Sequence, residues 1–478
     1  MAHTTPNFRA LAAQMGKDGS FIRMAGVAAL VLAARLSPLP HALTDGLPQA
    51  RQAAAQGDWQ TAAPVYWLAV SYEPWSSDHL AAAAGAALET GDDQGAYDAL
   101  IALREHRPLT PEETLHLGET YDNLGFPMQA LAAWEEALAA GASDRGALAR
   151  MAALYRAEGD YERATDALYR LAQYAPDEAM LRELSLLQAI TDPEGARLRL
   201  GEILASDDLV PVGEVVRDYA TLPPAEYYGR LGVIYIEMGE WELAEVALMR
   251  SVALNPTDAE RTAYLGYVQG RNGKPGFGAI QQAMALAPEN PLVFTMAGLY
   301  LERMGAWPEA RVALEWAYNL DPSNPAVAVE IANTHRAEGA YSLAETWLRE
   351  AIRLAPNDVR FELVLAAFYL DESYRMDEVG LPLARDLVTR EPGNAEAHAI
   401  LGGILLYAGD SEGAAAELQS ALTLDPTLAR GSYLMAVLRE SQEQVTDALR
   451  YYQDAAEQVP DGRFGVLSRR AIERLTGG

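Results

Sequence analysis

The sequence predicts an all-α chain of stacked helical hairpins, and three observations carry that prediction. A period of 34 residues recurs from residue 43 onward. Within each period the apolar residues fall at i, i+3, i+4 and i+7, the spacing of an amphipathic helix. A glycine at position 15 ends a first helix and a proline at position 32 ends a second, so each period folds back on itself. One hairpin cannot bury its apolar faces alone, so the stability of such an array is a sum of nearest-neighbour terms.

The register is explicit. Residues 291–324 place Gly298 at position 8, Gly305 at 15, Trp307 at 17, Ala310 at 20, Leu314 at 24, Ala317 at 27 and Pro322 at 32. The next period, 325–358, answers with Ala332, Gly339, Tyr341, Ala344, Leu348, Ala351 and Pro356, and 395–428 with Gly402, Gly409, Ala414, Leu418, Ala421 and Pro426. Small residues at positions 8 and 20 mark where the two helices cross. The column at position 20 runs Ala62, Ala96, Ala130, Ala164, Ala244, Gly278, Ala310, Ala344, Ala414 and Ala448.

This pattern resembles the tetratricopeptide repeat, and 225–258 matches it best, with Leu231, Gly232, Tyr235, Gly239, Trp241, Ala244, Leu248 and Pro256. The resemblance implies a right-handed superhelical solenoid. About twelve units are counted. Nine have 34 residues, starting at 43, 77, 111, 145, 225, 291, 325, 395 and 429. Unit 259–290 is two residues short, unit 359–394 two long, and unit 179–224 is degenerate. The expected organisation is a tail (1–20), an apolar anchor or signal-like helix (21–40), a first repeat array (43–206), an extra helix and Pro-Pro junction (207–224), a second array (225–462) and a capping helix (463–478).

In the amino-terminal segment, FIRMAGVAALVLAARL at 21–36 carries an uninterrupted apolar run from Met24 to Ala34 between Arg23 and Arg35. Eleven residues fall short of the roughly 20 of a comfortable span. With both arginines reaching for the interfaces, 21–39 just crosses a bilayer as an uncleaved anchor. A cleaved signal peptide is the second reading, although no A-x-A pattern follows. An apolar helix docked on the first repeat or on a partner is the third. Three basic residues before the run (Arg9, Lys17, Arg23) favour a cytoplasmic amino terminus, which puts the solenoid outside the cytoplasm, membrane-associated or, after cleavage, secreted.

Composition narrows the function. The formal charge is -30, from 67 acidic and 37 basic residues, so the chain repels phosphate backbones and nucleic acid is not an expected partner. Without cysteine there is no disulfide, thiolate site or cysteine nucleophile. The segment from Gly270 to Gly278 looks like a phosphate loop but has Val268 where a glycine is needed and Pro275 where a Ser or Thr is needed, and reads as an inter-helix turn. The seven histidines show no metal-ligand spacing. Asp371, Glu372, Asp377 and Glu378 lack the alternation and turning glycine of a calcium loop. No G-x-S-x-G elbow occurs. No catalytic residue, cofactor or metal is expected.

The resemblance implies a groove lined by positions 2, 5, 9, 12 and 13 of the first helices. The Lys and Asn clamp that some members use for a carboxylate is not assembled: Asn333 sits at position 9, but position 5 is Val329, and the preceding unit offers Thr295 and Leu299. The mapping instead gives a ladder of Arg271, Arg303 and Arg336, suited to an acidic segment of a partner through charge-assisted hydrogen bonds. The competing reading is that each arginine complements a helix carboxyl terminus. Glu112, Glu119 and Asp122 form an acidic feature that reads as a solvated face. Trp316 and Trp347 are either an exposed partner anchor or inter-repeat packing.

The expected function is a non-enzymatic scaffold, membrane-tethered, holding proteins or peptides within a larger envelope complex. The alternative is a structural protein that stacks end to end into an extracellular filament or tube, a homo-oligomer.

Overall fold

The computed structural model describes residues 41–477 except Ala175, Leu204 and Asp461, and the expected apolar helix at 21–40 lies outside them. The described residues are helical throughout and contain no strand. They form two compact bodies that divide between Arg217 and Asp218, inside the stretch expected as a junction.

The amino-terminal body pairs α1 (His41–Ala55) with α2 (Trp59–Tyr72), α3 (Ser77–Thr90) with α4 (Asp93–His106), α5 (Pro111–Asn123) with α6 (Pro127–Ala139), and α7 (Arg145–Ala157) with α8 (Tyr161–Ala172). Its degenerate unit follows. The first helix α9 (Glu178–Thr191) is full length, but the second is broken into α10 (Pro193–Leu198) and α11 (Leu200–Ile203). A short 3-10 turn leads into α12 (Val210–Arg217), which buries Val212, Val215 and Val216 against α9 and α10.

The first helix of the carboxy-terminal body is α13 (Pro224–Glu237), opened by Pro224; α14 (Trp241–Leu254) completes the hairpin. Then come α15 (Ala259–Arg271) with α16 (Phe277–Leu286), α17 (Pro291–Arg303) with α18 (Trp307–Leu320), and α19 (Pro325–Ala337) with α20 (Tyr341–Leu354). The last hairpins are α21 (Val359–Asp371) with α22 (Leu381–Arg390), α23 (Ala395–Tyr407) with α24 (Ser411–Leu424), and α25 (Ala429–Ser441) with α26 (Val445–Gln458). The closing helix α27 (Arg463–Thr476) buries Gly465, Ser468 and Ala471 against α25 and α26 and turns Arg469, Arg470 and Glu473 outward.

The local chemistry explains the boundaries. The last residue of a unit caps the next first helix: Thr110 makes a full capping box with Glu113, and Asp144, Asp258, Asn324, Asp358 and Asn394 each accept a backbone N–H from the first turn. Each such cap is worth about 1 kcal/mol. Position 15 is left-handed even where glycine is missing, with φ +51° at Ser373 and +61° at Glu443, a conformation that costs a side chain what it does not cost Gly305 or Gly339. At the crossing, a Cβ on Gly298 would stand 2.5 Å from Leu314 Cγ, and one on Gly402 2.7 Å from Leu418 Cγ. All nine alanines of the position-20 column are fully buried. Gly278 is a correction to that column. Unit 259–290 loses its two residues before the second helix, so Gly276 takes the crossing, where a Cβ would strike the Gly266 carbonyl, and Gly278 is exposed.

The two irregular turns share a device. Position 21 is glutamate only in the units that precede them, and both glutamates are buried. Glu245 accepts from Asn272 Nδ2 (2.7 Å) and Lys274 Nζ (2.9 Å) of the shortened turn. Glu345 accepts from Arg375 Nη1 (3.0 Å) of the lengthened turn, and from Tyr369 and Arg349. The two extra residues of that turn are wound into a single π turn, Met376–Gly380. Burial pushes the Glu345 carboxyl up, but the bonds from Tyr369, Arg349 and Arg375 outweigh it and hold it below the usual range. Replacing Glu245 or Glu345 with Ala strands these donors. Each change is expected to lower stability by about 1–3 kcal/mol, read as the urea midpoint, while Ala415→Ser at the same position of a regular unit changes little.

Candidate functional site

The first helices of the carboxy-terminal body line up residues from successive units, and between α19, α20, α21, α23 and α25 they enclose a cavity of about 260 Å3. Its wall is apolar, from Leu348, Leu363, Val364, Ala367 and Phe368. Its rim is polar, from Asn333, Arg336, Asp371, Glu396 and Arg430. Val364 is 38% exposed, so the apolar wall opens to solvent.

Three helices are tied together at the rim. Arg430 on α25 donates to Asp371 on α21 (Nη1–Oδ1 2.7 Å) and to Glu396 on α23 (Nε–Oε1 2.7 Å). Its guanidinium also lies 4.8 Å from the Phe464 ring centroid, and Arg463 of α27 pairs with Asp371 at 3.0 Å. Arg430 and Asp371 are both nearly buried in this network, with side chains 11% and 12% exposed. Ordinary stacking contacts link neighbours about one period apart; this one spans 59 residues from Asp371 to Arg430 and skips a unit.

The three arginines of the sequence ladder have different surroundings. The Arg271 guanidinium lies over the Trp241 ring at 4.4 Å. Arg303 donates to the carbonyls of Gly270 (3.1 Å) and Arg271 (3.2 Å), the carboxyl terminus of α15. Arg336 faces Glu372 at 3.8 Å and reaches the cavity. Of the ladder, only Arg336 shares the cavity with Asn333, whose amide donates to Glu330 (2.9 Å). Trp347 packs edge-on against Tyr318 at 5.0 Å. Trp316 stacks on Phe294 but stays 56% exposed, away from the cavity lining. In the other body, Asp122 is held by Arg150 (Nε–Oδ2 2.5 Å) and His116 faces Glu119.

Two carboxyls beside the ladder were not singled out in the sequence. Glu302 has a buried Oε1 with no hydrogen-bond partner. Burial first, and the charge of Glu330 second, push its pKa up to about 8, against the pull of Arg336. Glu330 is itself raised by burial, opposed by its bond from Asn333 and by Arg336. Arg336 therefore has Glu372 as its ion-pair partner, with Glu302 and Glu330 near enough to feel its charge.

Comparison with known proteins adds the family. The tetratricopeptide repeat matches the sequence at residues 295–359 and 378–429, and a second profile of the same repeat matches 225–258. Those three segments are tetratricopeptide repeats. No curated protein sequence matches it. Among solved structures it is similar to yeast Tom70, at 14% identity over 91% of this chain and 95% of that one, with a TM-score of 0.43. It is also similar to the APC/C hetero-tetramer Cut9-Hcn1 (15% identity, 91% of this chain and 90% of that one, TM-score 0.36). A tetratricopeptide repeat protein from Parabacteroides merdae matches 53% of this chain and 99% of its own at 15% identity, with a TM-score of 0.44.

In the numbering of the repeat, the cavity is assembled from Leu363 at position 5, Asn333 and Ala367 at 9, Arg336 at 12, Asp371 at 13, and Glu396 and Arg430 at 2. Opposite charges at position 2 of consecutive repeats were the available signal for the Glu396–Arg430 pair. Among the described residues no group of three or more His, Cys, Asp or Glu is arranged to hold a metal ion, and no helix is long and apolar enough to cross a membrane.

Glu302 gives this face a pH dependence. Between the ordinary value of 4.5 and about 8 the folded chain keeps a proton that the unfolded chain releases, so its contribution to stability is complete below the lower value and is lost as pH rises through the upper one. The wild type is expected to lose more Tm than Glu302→Gln between about pH 4 and pH 9, the window that brackets both values. Parallel Tm curves for the two proteins would contradict this assignment.

Proposed function

We propose that this repeat protein is a non-enzymatic scaffold that holds a segment of a partner protein along the first-helix face of its carboxy-terminal body. The observation that carries the reading is the cavity of about 260 Å3, apolar on its wall and bordered by Arg336 and Asn333. It has room for one large apolar side chain, and a buried apolar anchor beside a guanidinium is the usual form of an interface hot spot. Arg271 and Arg303 continue the same face. A guanidinium has five N–H donors, and Arg303 spends two on carbonyls, so the ladder keeps donors for carboxylates of the bound segment. The apolar run at 21–39 supports tethering to a membrane, with the repeats outside the cytoplasm and the partners subunits of an envelope complex.

The second reading is assembly with copies of itself into a filament or tube. The charged outer side of α27, with Arg469, Arg470 and Glu473 turned outward, favours a closed end and so the scaffold.

Mild-detergent purification from native membranes, followed by mass measurement of the particle, separates the two. The scaffold reading expects stoichiometric foreign subunits with the wild type. It expects their loss, by at least about tenfold in recovery, with Arg336→Ala combined with Val364→Asp, since truncating hot-spot groups costs about 2 kcal/mol or more. Large particles containing only this chain would favour self-assembly instead.

A further inference from the structure

The outer layer of the amino-terminal body has a notch at its degenerate unit. In a regular unit the second helix runs for 12 to 14 residues, as α8 does with 12 and α2 with 14. In the degenerate unit it stops after the six residues of α10 and restarts as α11, with Arg199 between them. Beside the break lies a cavity of about 630 Å3.

Two helix faces wall the cavity. From α8 come Glu162, Thr165, Asp166 and Tyr169, spaced i, i+3, i+4 and i+7. From α10 and its cap come Asp192, Gly195 and Leu198, spaced i, i+3 and i+6. Each wall is therefore about two turns, or roughly 10 Å, long. Helix faces with this residue spacing form ridges against which the side-chain ridge of another helix packs. The floor is closed by a hydroxyl pair, Thr165 and Thr191 at 3.0 Å.

The chemistry of the notch is one-sided. Leu198 is 77% exposed and Tyr169 48% exposed, two large apolar groups facing solvent across one cavity. Around them stand the carboxylates of Glu162, Asp166 and Asp192, with Asp166 facing Arg170 at 3.8 Å and Asp192 capping α10. The one cation in the lining, Arg199, is engaged by Glu202 (2.6 Å) and by Gln188 of the same lining (3.1 Å). An apolar centre with an acidic rim selects an apolar ridge flanked by cations, and the charge of -30 speeds its approach.

We propose that this notch receives a basic amphipathic helix of a partner protein, with a Leu or similar side chain seated between Tyr169 and Leu198 and Arg or Lys side chains on Glu162 and Asp166. The site is on the second-helix layer of the amino-terminal body and is independent of the first-helix cavity described above, so either assignment can fail without the other.

The test is a fluorescence-anisotropy titration of the full chain with a fluorescein-labelled helical peptide of about fourteen residues, Leu along one stripe and Arg on both flanks, and with its counterpart carrying Glu for Arg. The expected result is binding of the Arg peptide, weakened at least about tenfold by Leu198→Asp. Asp166→Arg is expected to weaken the Arg peptide and to admit the Glu peptide. Diffuse attraction to an acidic protein predicts the reverse for Leu198→Asp, because that change adds negative charge. Unchanged or tighter binding by Leu198→Asp would therefore overturn the proposal, as would equal binding of both peptides by the wild type or no binding of the Arg peptide. A wild-type dimer that Leu198→Asp converts to monomer would overturn the partner assignment by giving the notch to a second copy. Leu198 is exposed, so this variant is expected to fold, and Asp166→Arg provides an independent reading.

Discussion

In each regular hairpin the two helices cross at glycine or alanine, and the rest of the architecture depends on that contact. A Cβ at Gly298 would reach to within 2.5 Å of Leu314, and one at Gly232 to within 2.6 Å of Leu248. The fully buried alanine at position 20 makes the same approach from the second helix. Close-packed interiors transmit small volume changes, so this crossing fixes the angle of each hairpin, and the angle decides which residues of successive first helices share a face. Arg336, Leu363, Ala367 and Arg430 meet in one cavity because their hairpins are held alike.

Irregular units need something more, and the chain supplies it with buried carboxylates. A turn two residues short or two residues long cannot copy the packing of a 34-residue unit. Glu245 and Glu345 fasten those turns through bonds from Asn272, Lys274 and Arg375. These turns adjoin the ends of α15 and α21, where Arg271 and Asp371 stand, so the clamps also position the first-helix face. The degenerate unit has no such glutamate before it: position 21 of unit 145–178 is Thr165, and there the outer layer opens into the notch beside Leu198.

The hairpins, the turn at position 15 and the crossing at positions 8 and 20 were legible in the sequence because each rests on local rules of periodicity, left-handed backbone and side-chain size. The error at Gly278 shows the limit of counting. The period measures distance along the chain, whereas the crossing is set in space, and a two-residue deletion shifts one against the other. The Asp371–Arg430 bond was out of reach for a different reason: it joins residues 59 apart, and a nearest-neighbour pattern contains no term for a contact that skips a unit. The acidic stretch from Asp371 is visible as charge, but the partners of Asp371 itself lie on α25 and α27. The raised carboxyl of Glu302 depends on burial and on Glu330, neither of which a sequence pattern weighs. The arginine ladder was legible as positions, and the surroundings of each guanidinium were not.

Stability in this chain is built from crossings joined by neighbour contacts, with the ionic bridge at the carboxy-terminal end as the one described exception to strict nearest-neighbour coupling. Hydrogen–deuterium exchange of Ala344→Leu tests this most directly, since the side chain of Ala344 is fully buried at a crossing. Overpacking there should cost about 1–3 kcal/mol. The account predicts faster exchange in α19 and α20 and, to a smaller degree, in the adjoining α18 and α21, with α13 and α14 unchanged. Uniform loss of protection across the whole carboxy-terminal body would contradict it, because the body would then be one cooperative block and not a stack of separately fixed hairpins.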